Sequence, residues 1–236
     1  MTTTLEHPAH LDGNPTIGEI AVRLPGATAV FRRLKLDFCC GGNVPLAQAA
    51  QDKGIDLQAL LAELSTLTPA APDESLIQEP GALIEHILAR YHQVHRAQLP
   101  ELIRMAHRVE AVHRSHPAVP AGLGDALERM EAELVEHMEK EEQVLFPMLT
   151  QGRHPMAKHP IAMMRHEHTE HGKVLDNLDR LTHDMQPPSD ACNTWRALYV
   201  GLAQLKDDLI AHIHLENNVL FPQFESTGCG SGCGCA

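Results

Sequence analysis

Leu134-Val135-Glu136-His137-Met138-Glu139-Lys140-Glu141-Glu142-Gln143-Val144-Leu145-Phe146-Pro147 decides the fold, because it returns as Leu209-Ile210-Ala211-His212-Ile213-His214-Leu215-Glu216-Asn217-Asn218-Val219-Leu220-Phe221-Pro222. The offset is constant (212 − 137 = 75) and extends backwards, matching Leu123, Leu127 and Met130 to Leu198, Leu202 and Leu205. Within each copy the marked residues advance by four, three, four, three, four and four positions, which is one face of an α-helix. His137, Glu141, His212 and Glu216 therefore sit on apolar, inward faces. An internal repeat of this kind points to a duplicated helix hairpin.

A further helix precedes each copy. His92 shares a face with Leu88, His95, Leu99, Leu102, Ala106 and Val109, and His168 shares one with Ile161, Met164, His171, Leu175 and Leu178. The spacing from His92 to His137 nearly equals that from His168 to His212, so the pattern predicts an up-down-up-down four-helix bundle. Pro100 is expected to kink the first helix.

A carboxylate on an apolar face is costly unless it is paired or ligating. Residues four apart on a helix cover the same spot. Two His-x3-Glu pairs, met by His92 and His168 at similar depth, supply four imidazoles and two carboxylates. If Glu141 and Glu216 each bridge, every one of two metals receives two nitrogens and two oxygens. A bridging oxo or hydroxo group would add a fifth ligand and leave an open position. Such a set suits two non-haem iron ions better than structural zinc, which prefers a closed tetrahedron; manganese or a mixed pair stays open on ligand type alone. His113 continues the His92 face, but 21 residues of helix span about 31 Å, and without a sharp break near Pro100 it falls outside one site. His95 and His171 read as supporting or rim residues, Glu133 and Glu167 as exposed helix acids that could line an access path, and Met163-Met164 as core.

The other segments are smaller. Residues 1–13 are polar and expected to be flexible. Residues 14–67 read as a small helical domain: Thr16-Ile17-Gly18-Glu19 is a capping box, Pro25-Gly26 an interruption before a helix to about Leu36, Pro45 to Lys53 a helix stopped by Gly54, and Asp56 the N-cap of a helix ending near Leu67. Cys39-Cys40-Gly41-Gly42 forms a turn ahead of a helix start, a position that can depress a thiol pKa, so Cys39 and Cys40 are candidate reactive thiols. Residues 68–80 are a Pro-rich linker, 81–225 the bundle, and 226–236 a flexible Cys/Gly-rich tail carrying Cys229, Cys233 and Cys235.

Composition agrees with an all-α fold. The 236 residues are 43% apolar but only 3% aromatic, a core of Leu, Ala, Val, Ile and Met. A formal net charge of −12 argues against nucleic acid and anionic membrane as partners and is compatible with holding cations. No signal-like or membrane-spanning run is evident, and the six cysteines do not resemble a secreted disulfide framework, so the expected location is cytoplasmic. Seventeen scattered histidines fit a metal protein.

With these motifs in hand the sequence resembles the Repair of Iron Centers family. The resemblance runs from about Thr16 to Phe224 and is carried by Asp37-Phe38-Cys39-Cys40-Gly41-Gly42 and by the two His…Glu…Leu-Phe-Pro segments. It implies an N-terminal cysteine-bearing domain joined to a hemerythrin-like bundle, with a carboxylate-bridged di-iron centre in His92, His137, Glu141, His168, His212 and Glu216. It also implies repair of iron-sulfur clusters damaged by nitric oxide or oxidants, with damaged iron-sulfur proteins as partners and donation of iron as the means. The tail departs from the family pattern. Two other functions compete: a nitric oxide reductase acting at the open positions, and a hemerythrin-like oxygen or redox sensor. A ferritin-type oxidase is weaker, because only Glu110-Ala111-Val112-His113 supplies its motif. Turnover catalysis, the client, the electron donor and the choice between monomer and homodimer are left open.

Overall fold

The computed structural model describes residues 14–67, 79–151 and 156–225. The expected flexible N-terminus, nearly all of the expected linker, and the tail with its three cysteines lie outside them. Among the described residues the regular structure is helical, and the one β-type contact is an isolated antiparallel bridge between Thr16 and Pro45.

Four short helices come first: α1 (Ile17–Arg23), α2 (Ala27–Arg33), α3 (Leu46–Asp52) and α4 (Leu57–Ser65). The capping box forms as expected. Thr16 Oγ1 accepts from the Glu19 N–H at 3.2 Å, and the Glu19 carboxylate accepts from the Thr16 N–H at 3.0 Å. Asp56 caps α4 by accepting from the N–H groups of Gln58 and Ala59. Helix α2 stops at Arg33 rather than near Leu36, because Lys35 turns to φ 53° and no helix continues through that region. Ile20, Phe31, Phe38, Leu46, Leu60 and Leu64 make the apolar centre.

The bundle opens with α5 (Pro80–Ile87), which passes through a π-helical turn, Leu88–His92, into α6 (Gln93–Val112). Helix α7 (Leu123–Lys140) passes through a second π turn, Glu141–Leu145, into the short α8 (Phe146–Thr150). Helix α9 (Lys158–Thr182) follows. Then α10 (Asn193–Leu215) enters a third π turn, Glu216–Leu220, before the terminal turn α11 (Pro222–Glu225). Helix α6 packs on α7 and α10, α9 packs on the same two, and the four close into a ring. Pro100 does not interrupt α6; it lies on the exposed side.

Two apolar blocks fill the bundle. Leu99, Leu102, Leu127, Met130, Leu134, Leu202, Leu205 and Leu209 form the longer one. Leu83, Ile87, Leu145, Phe146, Ile161, Leu220 and Phe221 form the other. The histidines and glutamates of the repeat lie in a layer between them, and both blocks exclude water from it.

The small domain docks against the third π turn. Asn218 Nδ2 donates to the Phe38 carbonyl at 3.1 Å, and the Phe38 ring meets His214 edge-on at 5.2 Å. Gly18 and Gly42 permit this approach. A Cβ on Gly42 would stand 2.6 Å from Asn218 Oδ1 and 2.8 Å from the Phe38 carbonyl. Gly42→Ala is therefore expected to destabilise the docked arrangement by about 1–3 kcal/mol. Limited proteolysis should show faster cleavage within residues 14–67 than within the bundle, and equal protection of both variants would contradict the contact.

Candidate metal centre

Six side chains converge in the polar layer as two overlapping sets. His92, Glu141, His212 and Glu216 form one, and His137, Glu141, His168 and Glu216 form the other; within each set the ligand-capable atoms lie within 4.8 Å of one another. All six are buried. The two glutamates are common to both sets, the arrangement expected of bridging carboxylates.

The distances are those of ligands facing a shared centre. His92 Nε2 and His212 Nε2 are 3.2 Å apart, and His137 Nε2 and His168 Nε2 are 3.1 Å apart. Glu141 Oε2 lies 3.4 Å from His92 Nε2 and 3.5 Å from His137 Nε2. Glu216 divides its oxygens, Oε1 standing 3.1 Å from His212 Nε2 and Oε2 3.0 Å from His168 Nε2.

The protons cannot account for this convergence. His92 Nδ1 donates to Glu142 at 2.7 Å, His137 Nδ1 to Glu167 at 2.8 Å, and His168 Nδ1 to Asn217 Oδ1 at 2.8 Å. A neutral imidazole that donates from Nδ1 carries a lone pair on Nε2. His137 and His168 thus aim two lone pairs at each other beside buried carboxylate oxygens. Both oxygens of Glu141, and Oε2 of Glu216, lack an aligned hydrogen-bond donor. Lone pairs converging in a dry layer require a cation, so the donor set fits a metal.

Electrostatics agrees. Burial, and then the neighbouring Glu216, push the Glu141 carboxyl well above its ordinary pKa. Burial acts on Glu216 in the same sense, but the imidazoles of His212 and His168 outweigh it and hold that carboxyl low. Burial lowers His137 to about 4, in spite of Glu167. The His137 hydrogen bond and then Lys140 bring Glu167 down to about 2. Two such carboxylates ionise together only with positive charge between them.

The π turns explain how the layer is made. The Phe146 N–H reaches back five residues to the Glu141 carbonyl, and the Phe221 N–H does the same to Glu216 at 2.9 Å. Pro147 and Pro222 follow and, having no N–H, cannot carry the five-residue pattern on to the carbonyls of Glu142 and Asn217. The wider turn brings two consecutive residues inward. Glu141 and Glu216 face the layer, while Glu142 and Asn217 hold Nδ1 of His92 and His168 on neighbouring helices. Glu142 and Asn217 were missed by face counting, which places them off the apolar stripe. Their signals were the shift from alternating four-three steps to four-four at each Glu, and the constant 75-residue offset (217 − 142 = 75). Arg96 and Lys140 complete the outer contacts on Glu142 and Glu167. Glu167 is therefore more than an exposed acid, since it orients His137. It also lines, with Glu133, Glu136, Lys140, Glu170 and His171, a cavity of ≈ 490 Å³.

His95 and His171 are buried, not at a rim. Neither ring has a hydrogen-bond partner among the described residues, and burial lowers both to about 3. They pack against the His212 and His137 rings at 5.5 and 5.0 Å. Met164 is core and Met163 exposed. His113 ends α6, away from the layer, where its Nε2 meets Cys192.

Cys39 and Cys40 are free thiols with sulfurs 3.7 Å apart. The expected lowering of a thiol pKa fails at Cys39, where the hydrogen bond with Cys40, burial and Asp37 raise it well above the ordinary range. The turn nevertheless abuts the layer. Cys40 Sγ donates to the His168 carbonyl at 3.4 Å, and Asn217 Nδ2 donates to the Cys39 carbonyl at 2.9 Å.

Comparison with known proteins gives two family matches: the hemerythrin HHE cation binding domain over residues 83–224, and a domain of unknown function, DUF542, over residues 13–68. Among full-length relatives, the iron-sulfur cluster repair protein YtfE of Dickeya chrysanthemi is 48% identical over 210 residues, 88% of this chain and 95% of that protein. The proteins of the same name from Cronobacter sakazakii and an Escherichia coli strain are 48% and 47% identical over 208 residues, each 88% of this chain and 94% of theirs.

Two outcomes test the centre. Glu142→Ala should weaken metal binding by about 10–100-fold, because His92 loses the partner that fixes its tautomer; titration against a competing chelator measures this. Glu141→Leu should melt higher than the parent when both are metal-free, by about 1–4 kcal/mol, since it removes an unpartnered buried carboxyl. Adding iron(II) should stabilise the parent and leave the variant unchanged.

Proposed function

The chain belongs to the Repair of Iron Centers family, the YtfE-type iron-sulfur cluster repair proteins with a hemerythrin HHE domain, and on that premise we propose that it restores damaged iron-sulfur clusters by supplying iron held between Glu141 and Glu216. Its place is the cytoplasm, and its clients are iron-sulfur proteins injured by nitrosative or oxidative stress. Among the described residues no helix is long and apolar enough to cross a membrane.

The observation that carries this reading is the pair of four-ligand sets sharing two buried glutamates. His92 and His212 would hold one iron and His137 and His168 the other, with both carboxylates common to the two. Bound there, iron supplies Lewis acidity and one-electron chemistry. The protein supplies the rest. Glu142, Glu167 and Asn217 keep three imidazoles with Nε2 bare, so the site takes a cation without first releasing protons from those rings. Phe146 and Phe221 cover His92 and His168 at 5.8 and 6.0 Å, and Tyr91 stacks on His212 at 5.4 Å. These rings keep water from the ligand atoms on the side of the shorter apolar block.

A site for cargo must also let it go. His212 Nδ1 has no hydrogen-bond partner among the described residues, so no polar contact anchors its ring from behind, unlike the other three. Rotation of that imidazole breaks no polar contact behind it. The cavity beside Glu167, where Glu133, Glu136 and Glu170 stand among Arg129, Lys140 and Lys173, adjoins the layer and offers an exit path.

The test mixes iron-loaded protein with an iron-sulfur enzyme whose cluster has been damaged, with and without an external chelator. The expected result is recovery of client activity together with a fall from two bound iron ions per chain, and loss of both effects in Glu141→Ala and Glu216→Ala. Sustained nitrous oxide formation from nitric oxide and a reductant, with no recovery of the client, would overturn the donor reading in favour of catalysis.

A further inference from the structure

Cys192 and His113 lie at the end of the bundle remote from the polar layer. Twenty residues of α10 separate Cys192 from His212, about 30 Å at 1.5 Å per residue. Cys192 is the N-cap of α10, with extended backbone (φ −69°, ψ 166°) and no side-chain capping bond, so its sulfur is not used to satisfy the helix start. Sγ instead stands 3.2 Å from His113 Nε2. The free thiol is half-buried. Both residues line a cavity of ≈ 350 Å³ together with Arg108, Val112, Asn193 and Thr194. The approach to Cys192 is fixed by Arg196, whose guanidinium donates to the carbonyls of Ala191 and Ser189 at 3.0 and 2.6 Å. Trp195 packs on His113 at 5.1 Å and on His116 at 5.2 Å, setting the imidazole against the sulfur.

Each part suits a nucleophilic thiol. An imidazole in hydrogen-bond contact takes the thiol proton. The sulfur stands at the start of a 23-residue helix, where free peptide N–H groups face an incoming anionic reagent. The cavity gives access, Arg108 offers an exposed cation to an anionic reagent, and Val112, 66% exposed, offers an apolar wall.

We propose that Cys192 and His113 form a second thiol site, which takes a small carboxylate-bearing disulfide and becomes its mixed disulfide. The step is thiol–disulfide exchange. His113 Nε2 accepts the Cys192 proton, and the thiolate forms a new S–S bond to one sulfur of the reagent. The reagent's own S–S bond breaks, and the departing thiolate takes the proton back from His113. Cys192 is oxidised to the mixed disulfide and the other half of the reagent is reduced to a thiol. Neither the iron site nor the Cys39-Cys40 turn takes part.

The experiment incubates the full-length protein with glutathione disulfide near neutral pH and follows the adduct on Cys192 by peptide mass. Emission from Trp195, the only tryptophan, reports the same event without digestion. Cys192 is expected to react about tenfold or more faster in the folded protein than in the urea-denatured chain, and His113→Gln to remove most of that advantage. Arg108→Ala, an exposed change that leaves the core intact, should abolish the preference for glutathione disulfide over the cationic disulfide cystamine. A folded rate equal to or below the denatured rate would overturn the proposal, as would an unchanged rate in a folded His113→Gln variant. An unchanged reagent preference in Arg108→Ala would overturn the anionic specificity.

Discussion

Two buried carboxylates, three of whose oxygens meet no aligned donor in a dry layer, are the constraint on which this molecule turns. Glu141 and Glu216 are fully buried, share four imidazoles, and lie between two apolar blocks that give them nothing to bond to. An uncompensated buried charge costs several kcal/mol, a large part of the stability of a domain this size. The surrounding structure is arranged so that a cation, and not a proton or a water network, is the economical solution. Three imidazoles are held with lone pairs inward by acceptors behind them, and those acceptors are satisfied by Arg96, Lys140 or the Cys39-Cys40 turn.

That arrangement depends on a local departure from the α-helix. A strict α-helix places residues 141 and 142, or 216 and 217, about 100° apart, so only one of each pair could face the layer. The π turns spread one turn over an extra residue and let each pair serve two helices. Proline at 147 and 222 limits this irregularity: with no N–H it cannot carry the five-residue pattern on to the carbonyls of Glu142 and Asn217. The duplicated Phe-Pro does two jobs: the proline terminates the π turn, and the phenylalanine covers an imidazole on the next helix.

Much of this could be read from the sequence, for definite reasons. The Leu123–Leu145 and Leu198–Leu220 stripes state the helix face directly, and duplication removes the chance that one inward His or Glu is accidental. His92 and His168 followed from equal spacing, and the structure brings both into the layer. Contacts that do not repeat along one face were not legible. Glu167 looked like a surface acid because all four residues within two positions of it, Arg165, His166, His168 and Thr169, are polar, yet His137 on the adjacent helix draws it inward. The raised pKa of Cys39 comes from Cys40, from Asp37 and from burial against the bundle, and its position before α3 carries no information about that packing. Pro100 was expected to kink α6, but the helix runs through it, with the ring on the solvent side.

The two matched segments therefore act as one polar structure, and Asn217 is the joint. Its Oδ1 accepts from His168 while its Nδ2 donates to the Cys39 carbonyl, and the Cys40 thiol reaches the His168 carbonyl from the same turn. Asn218 adds a bond to the Phe38 carbonyl, and Gly18 and Gly42 admit its side chain by having none. An amide can meet both demands only in one orientation, so its position is fixed by the cysteine turn on one side and by the imidazole on the other. Displacing the turn would leave a buried N–H without an acceptor and loosen the partner that orients His168. The vicinal cysteines are thus coupled to the metal layer by one buried side chain. A disturbance at either end has a direct route to the other, without any rearrangement of the helices between them.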